Sequence, residues 1–154
     1  MTYQYDDGGR KAAGYKGDAG DCGVRALAIA GGMPYQEVYR MVNEYGKNER
    51  GSRRRVTRSG QPKRSRSRSR TGIYAPTYRK MLADLGWSWT PTMQIGAGCR
   101  VHLRPDELPP GRLIVNLSRH FSAVLDGVVR DTHDSARGGT RCVYGYWQPP
   151  KGTP

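Results

Sequence analysis

Cys22 is the residue whose local setting best suits nucleophilic chemistry. It follows the turn-forming pair Gly20 and Asp21 and opens an apolar run with the composition of a helix. The macrodipole and unpaired backbone N–H groups of a helix N-terminus stabilise a thiolate, which is the nucleophilic form of cysteine. A lone cysteine near a helix start is more often inert, so the prediction needs a base elsewhere in the chain.

A β-hairpin signal far downstream supplies that base. The pair Asp126-Gly127, flanked by β-branched and aliphatic residues, predicts a two-residue turn. In the register set by this turn, His120 and Asp131 share one face as diagonal neighbours, within reach of a side-chain hydrogen bond. A register slip of one residue would bring Asp134 to that face instead, so both aspartates remain candidates.

These residue types, in this chain order, suit a Cys-His-Asp triad. A histidine accepts the thiol proton and later protonates the leaving group, while an aspartate fixes its tautomer and stabilises the imidazolium. Taken singly, His120 reads as an ordinary strand-end histidine and Asp131 as an ordinary turn cap. Together with Cys22 they are the predicted catalytic residues.

The segment Asp21-Cys22-Gly23 at a helix start, with His120 and Asp131 on successive strands, resembles the papain-like cysteine peptidase superfamily. It is most similar to the small bacterial branch that includes peptidases processing bacteriocin leaders. The resemblance implies an α+β fold in which N-terminal helices, with the nucleophile at a helix N-terminus, pack on a C-terminal antiparallel sheet. It also implies a thiol hydrolase, such as a cysteine peptidase or isopeptidase, that acts on a polypeptide substrate and needs no cofactor.

Several pieces of the second half are also similar to short phage and bacterial proteins. They are Arg119-His120, Asp126-Gly127, 131–135 and 141–147. This similarity implies a phage or bacterial origin, with the host cytoplasm or the virion as the location of a phage-encoded protein.

The chain departs from the papain-like pattern at the oxyanion site. Papain-like peptidases carry a glutamine several residues before the cysteine, and nothing between Tyr5 and Asp21 supplies it. Only the backbone N–H of Cys22 carries over. Tyr15 or Asp18 occupies the corresponding space, but an ionised Asp18 cannot donate a hydrogen bond to an oxyanion. The alternative therefore remains a catalytically weak or inactive phage protein of the same fold that binds nucleic acid or associates with the virion.

The net charge of +13 is concentrated in one segment. Residues 47–72 hold eleven basic residues against the single acid Glu49, whereas the rest of the chain holds fifteen basic and twelve acidic residues. The stretch 64–70 has no apolar side chain to bury, which predicts that a disordered Arg/Ser-rich insertion occupies about 47–72. Arginine-rich arms bind phosphate backbones through counterion release, so nucleic acid is the expected partner and an acidic protein the alternative. The candidate contact residues are Arg53, Arg54, Arg55, Arg58, Lys63, Arg64, Arg66, Arg68 and Arg70.

Glycine and proline punctuation predicts the elements that position these residues. Helical spacing of apolar residues predicts helices over 22–30, 34–45 and 76–85, each followed by glycine. Alternation predicts strands later in the chain, at 88–93, 100–103, 112–117, 121–125, 128–132 and 142–147. Helices followed by strands indicate one α+β domain over 1–147, with a disordered Pro-rich tail at 148–154.

The cysteines and histidines do not have the spacing of a metal site. Structural zinc sites place their ligands in close pairs, and Cys99 with His102 has no matching second pair. We therefore expect no metal at Cys22, Cys99, Cys142, His102, His120 and His133. Three cysteines without a short-spaced pair argue against a disulfide, and Cys99 and Cys142 are predicted to be small core residues.

Composition also predicts the compartment. No apolar run approaches the length of a membrane span, and the first seven residues lack the basic and apolar regions of a secretory signal. These observations predict a cytoplasmic protein that is not secreted and has no membrane partner, and the odd number of cysteines suits a reducing compartment.

Overall fold

A computed structural model describes residues 1–17, 19–49 and 66–152. Over these residues the chain forms an α+β fold of three α-helices and one six-stranded mixed sheet. In chain order the elements are β1 (Thr2–Tyr5), α1 (Cys22–Gly31), α2 (Tyr35–Lys47), α3 (Ala75–Asp84), β2 (Ser88–Pro91), β3 (Arg112–Leu117), β4 (His120–Leu125), β5 (Val128–Asp131) and β6 (Gly145–Gln148). The strand order in the sheet is β1-β5-β4-β3-β6-β2.

Glycine and proline residues mark the helix boundaries as predicted, except that α2 continues through Gly46 to Lys47. α1 stops because Gly32 adopts the left-handed conformation, with φ of 62°, and its N–H caps the helix at the carbonyls of Ala28 and Ile29. Pro34 precedes α2, and Pro76 lies in the first turn of α3, where its missing N–H costs nothing. Within the described residues, the predicted helices are therefore confirmed to within two residues at each end.

The predicted hairpin between β4 and β5 is confirmed in its register. Asp126 and Gly127 have φ of 47° and 79°, as a two-residue hairpin turn requires, and Leu125 pairs with Val128. The pairing continues through Val124 with Val129, which carries the same faces outward along both strands.

The prediction of an all-antiparallel sheet that follows the helices is wrong at the N-terminus. The chain begins with β1, which pairs parallel to β5 from Thr2 opposite Val128 to Tyr5 opposite Asp131. This pairing satisfies the outer N–H and C=O groups of β5, which would otherwise form an edge beside Asp131. A four-residue strand before a long turn-rich segment carries too little alternation to be recognised from sequence.

Two apolar clusters cover the two faces of the sheet. One face packs against the helices, with Leu27, Tyr78 and Trp147 among its fully buried side chains. The other face lies under the long connections and contains Leu113 and Val129. The sheet is therefore buried on both sides although the helices lie on only one.

Cys99 and Cys142 are joined by a disulfide, so the prediction of two reduced core cysteines is wrong. Their Cα atoms lie 5.8 Å apart, Cys99 is exposed and Cys142 is half-buried. Backbone hydrogen bonds between 101–103 and 141–143 bring the two segments together, including Val143 N–H to Val101 O at 2.8 Å. The predicted strand 100–103 shrinks to an isolated bridge at His102 because its pairing partner is this short segment. A separation of 43 residues conceals the pair in the sequence.

The structure describes residues 47–49 and 66–72 of the insertion that is predicted to be disordered, and buried and exposed side chains alternate over 66–70. Ser67 and Ser69 are each 1% exposed, whereas Arg66, Arg68 and Arg70 are exposed. Backbone and side-chain groups of α2 and of the residues just after it form hydrogen bonds with the serines, as described below. The remaining predicted contact residues, Arg53, Arg54, Arg55, Arg58, Lys63 and Arg64, lie outside the described residues.

In the described ranges, no helix combines the length and the apolar character that crossing a bilayer demands.

Candidate active site

Cys22 is the first residue of α1, and its side chain is half-buried against β4. The sulfur is hydrogen-bonded to the His120 side chain and accepts a hydrogen bond from the backbone N–H of Phe121. The first backbone N–H groups of α1 have no intrahelical partner, so the positive end of the helix dipole lies at the sulfur.

His120 begins β4, and Asp131 ends β5 beside it. The Nε2 atom of His120 lies 2.6 Å from Oδ2 of Asp131, which leaves Nδ1 as the ring nitrogen for Cys22. Asp131 is 3% exposed, and its Oδ2 also accepts a hydrogen bond from Ser122 Oγ at 2.7 Å. The side chains of Cys22, His120 and Asp131 thus form one continuous hydrogen-bonded chain.

The electrostatics of this chain favour a thiolate–imidazolium pair. Burial raises the pKa of Cys22, but the hydrogen bond and charge of His120 outweigh it, so the net pKa is lowered. Burial lowers the pKa of His120, but hydrogen bonds to Asp131 and Cys22 raise it to about 9. Burial raises the pKa of Asp131, whereas its bonds to His120 and Ser122 lower it to about 2. Near neutral pH, therefore, the aspartate is ionised and the histidine is protonated.

Asp134 does not take the third position. Its Oδ1 accepts the backbone N–H of Ala136 at 3.1 Å, as a turn cap does, and its side chain is exposed. Because the predicted register is the one observed, Asp131 rather than Asp134 bonds to His120.

Two charged residues of this site, Arg25 and Asp21, are not predicted from the sequence. Arg25 lies one turn after Cys22 on α1 and is 8% exposed. One guanidinium nitrogen lies 3.4 Å from Oδ1 of Asp131, and the other contacts Oδ1 of Asp21. A signal for them exists, because an acid and a base four residues apart enclose the start of an otherwise apolar helix.

Asp21 anchors this arginine. It is 1% exposed, and Tyr35 donates its hydroxyl to Oδ2 of Asp21 at 2.5 Å. Nε of Arg10 lies 3.4 Å from the same oxygen. Burial and the Asp21 carboxylate raise the pKa of Tyr35 well above its usual range, so its hydroxyl remains a donor.

Of the two side chains predicted to lie near the oxyanion, Tyr15 and Asp18, the structure describes only Tyr15. Tyr15 donates its hydroxyl to Oε1 of Gln36 at 2.7 Å and packs against Tyr35 and Tyr39, so its proton is directed away from Cys22. Asp18 lies outside the described residues. The backbone N–H of Cys22 stands at the helix start, as predicted.

One group of described residues has the donor set and spacing for a metal ion. A ligand atom of each of His120, Asp131 and His133 lies within 4.8 Å of the others. Nε2 of His120 and Oδ2 of Asp131 are hydrogen-bonded directly to each other, and His133 is exposed. This arrangement is that of an acid–base pair, and we assign no metal to it.

Residues 66–72, here called the Arg/Ser segment, lie against the residues that lead into Cys22. The backbone N–H of Gly20 donates to the carbonyl of Arg70 at 2.7 Å. Ser67 is held by Glu49, with its N–H to Oε1 at 2.5 Å, and Ser69 donates its hydroxyl to the carbonyl of Tyr39. The serines thus fasten the segment to the fold while its arginines face outward.

Comparison with family models, with curated proteins and with solved structures finds no match to this chain.

Proposed function

We propose that this protein is a papain-like thiol hydrolase that cleaves a peptide or isopeptide bond. The observation that carries the proposal is the hydrogen-bonded chain of Cys22, His120 and Asp131, with the thiol at a helix N-terminus. The fold supports it, because the nucleophile comes from the helical layer and the base and its partner come from the sheet.

The chemistry follows from the protonation states. The Cys22 thiolate attacks the carbonyl carbon of the scissile bond, forming a C–S bond and an oxyanion that the Cys22 backbone N–H faces. His120 gives its proton to the leaving nitrogen as the C–N bond breaks, so an amine departs and a thioester remains. Water then attacks the thioester, His120 takes its proton, and the C–S bond breaks to release the acid and regenerate the thiolate.

Asp131 is the group that holds His120 for this exchange. Its Oδ2 is shared by His120 and Ser122, while Oδ1 faces Arg25 and the N–H of Thr132. Both oxygens are therefore fixed, and the imidazole of His120 is held in one orientation.

The alkylation rate of Cys22 against pH tests this proposal directly. With iodoacetamide and mass spectrometry, wild-type Cys22 should react well below pH 8.5, and His120→Ala should shift that reactivity toward an ordinary thiol. His133→Ala is the matched control, because His133 neighbours His120 without bonding to Asp131. If the alkylation rate of wild-type Cys22 follows the pH profile of a free thiol, the hydrolase proposal is contradicted.

Nucleic-acid binding through the Arg/Ser segment is the second candidate function. The observation that favours it is the alternation of buried serines with exposed Arg66, Arg68 and Arg70, which presents three guanidinium groups on a fixed base. Guanidinium groups neutralise phosphates and release counterions, so binding should weaken steeply with salt.

Fluorescence anisotropy with a labelled single-stranded oligonucleotide tests this candidate. Changing Arg66, Arg68 and Arg70 to alanine should lower the salt slope by about one per arginine that contacts a phosphate. Arg40, Arg100 and Arg137 are exposed arginines for a matched triple control. Equal binding by the two triple variants would contradict the candidate, and Cys22→Ala should leave binding unchanged.

A further inference from the structure

A cleft of about 590 Å³ opens beside the candidate active site. Three of its lining residues belong to the site or adjoin it: Asp21 precedes Cys22, Arg25 contacts Asp131, and Thr132 follows Asp131. Much of the remaining wall comes from the turn-rich segment between β1 and α1.

Basic side chains dominate the charge of this cleft. The cations are Arg10, Lys11, Lys16 and Arg25, and the described anions are Asp7 and Asp21. Both anions are already bonded within the protein. The carboxylate of Asp7 accepts the backbone N–H groups of Gly9 and Lys11, and Asp21 is bonded to Arg10, Arg25 and Tyr35.

The described wall of the cleft therefore has unmatched positive charge. Lys11 and Lys16 are exposed, and within the described ranges neither ammonium has a carboxylate within the 4.0 Å of an ion pair. Arg10 is held in place by the carbonyl of Gly17 and by Asp21. A fixed guanidinium and two free ammonium groups favour an anionic occupant.

We propose that this cleft binds the carboxylates of an acidic polypeptide segment next to the bond that Cys22 attacks. The proposal rests on the hydrolase function and names its substrate class. Tyr5, which is 65% exposed, stands at the wall and offers an apolar surface to the same segment. A polypeptide is favoured over a nucleic acid because the adjoining thiolate chemistry acts on acyl carbons and because only one exposed aromatic ring lines the described wall.

Two alkylating reagents that differ in charge test the cleft without a known substrate. The Cys22 thiolate displaces iodide from iodoacetate or iodoacetamide, and only iodoacetate carries a carboxylate. In Lys11→Glu/Lys16→Glu, the ratio of the iodoacetate rate to the iodoacetamide rate should fall by roughly three- to tenfold from the wild-type value. The difference should shrink in about 1 M salt, where the Debye length is near 3 Å.

Lys47→Glu/Lys80→Glu is the matched control, because it makes the same charge change at two exposed lysines outside the cleft. Lys11→Gln/Lys16→Gln should give an intermediate ratio. If the cleft variant keeps the wild-type ratio while Cys22 still reacts with iodoacetamide in a His120-dependent manner, the acidic subsite is overturned and the hydrolase proposal stands. If wild-type Cys22 is unreactive toward both reagents, both proposals fall.

Protection of Cys22 separates the two kinds of polyanion. Poly-L-glutamate should slow iodoacetamide alkylation of wild-type Cys22 severalfold and should do so less in Lys11→Glu/Lys16→Glu. Oligothymidylate of equal charge should protect less, since it lacks the peptide bonds of the proposed substrate. It is also expected to bind the Arg/Ser segment, which is a separate site. Equal or better protection by oligothymidylate would overturn the assignment to an acidic polypeptide.

Discussion

Asp21, Arg25 and Asp131 form a buried ionic chain that ties the nucleophile's helix to the sheet. A buried arginine between two carboxylates offsets part of their negative charge, and removing it takes one cationic partner from each. Arg25 also acts on Cys22, because its positive charge contributes to the lowered pKa of the thiol. Arg25 is therefore a positioning residue, which acts through Asp131 and through the field at the sulfur.

Two substitutions at Arg25 separate the effect of its positive charge from the effect of its guanidinium geometry. Arg25→Met should cost about 3–5 kcal/mol in the free energy of unfolding, since two buried carboxylates each lose a cationic partner. The variant should also raise the pKa of Cys22, seen as a shift of the iodoacetamide profile to higher pH. Arg25→Lys should restore much of that profile while recovering less stability, because an ammonium cannot span both carboxylates as a guanidinium does.

The pKa of Asp131 predicts how stability responds to acid. Its folded-state pKa of about 2 lies below the ordinary 3.8, so its stabilising contribution is complete above about pH 4 and is lost as the pH falls toward 2. The difference in unfolding free energy between wild type and Asp131→Asn, followed by urea denaturation, should therefore shrink over that interval. Asp134→Asn is the control. A constant difference for Asp131→Asn would contradict the ionised assignment.

Among the helices and strands, the sequence predicts those whose ends and register depend on residues nearby in the chain. The glycine and proline residues around α1, α2 and α3 and the turn at Asp126-Gly127 determine helix ends and hairpin register, so the pairing of His120 with Asp131 follows from the sequence alone. The parallel strand β1 and the Cys99–Cys142 bond depend on segments distant in the chain. Such pairings leave no periodicity in the sequence, and the role of Arg25 is equally hidden because its partner on the sheet is just as distant.

The disulfide predicts a definite thiol count. Denatured, unreduced protein should give one reactive thiol per chain, that of Cys22, and three after reduction. Cys142→Ser should lower the free energy of unfolding by up to about 4 kcal/mol, the chain-entropy value for a closed loop of this size. Cys22→Ser is the control, because Cys22 is outside the cross-link. Three titratable thiols before reduction would show that the bond is absent.

For the whole molecule, the Arg/Ser segment is joined to the helices by a set of hydrogen bonds to Glu49, here called the clamp. Glu49 accepts from Ser67 and from the hydroxyl of Thr77 at 2.9 Å, which links the end of α2 to the start of α3. Gly46 allows this approach, because a Cβ there would lie 1.9 Å from the carbonyl oxygen of Ser67. The exposed arginines of the Arg/Ser segment are thus carried on a backbone that is hydrogen-bonded to the helical layer.

Two deletions of different extent should have different consequences. Replacing 50–65 with a short Gly/Ser linker retains the clamp, so the free energy of unfolding should fall less than in the longer replacement. Replacing 50–70 removes Ser67 and Ser69 and should cost about 2–4 kcal/mol, at roughly 1 kcal/mol for each lost hydrogen bond. Thermal or urea unfolding of both proteins checks this, and equal stability of the two would refute the clamp.

The pairing of β1 with β5 also has a kinetic consequence. Arg130 is bonded to Asp6, 124 residues away in the chain, and the Asp6 N–H reaches the carbonyl of Asp131 at 2.9 Å. Closing so long a loop is slow compared with forming the neighbouring helices α1 and α2. We therefore expect α1, with Cys22 at its start, to form before β1 pairs with β5. Under the proposed function, the thiol gains its full reactivity only after α1 has packed on the sheet that carries His120.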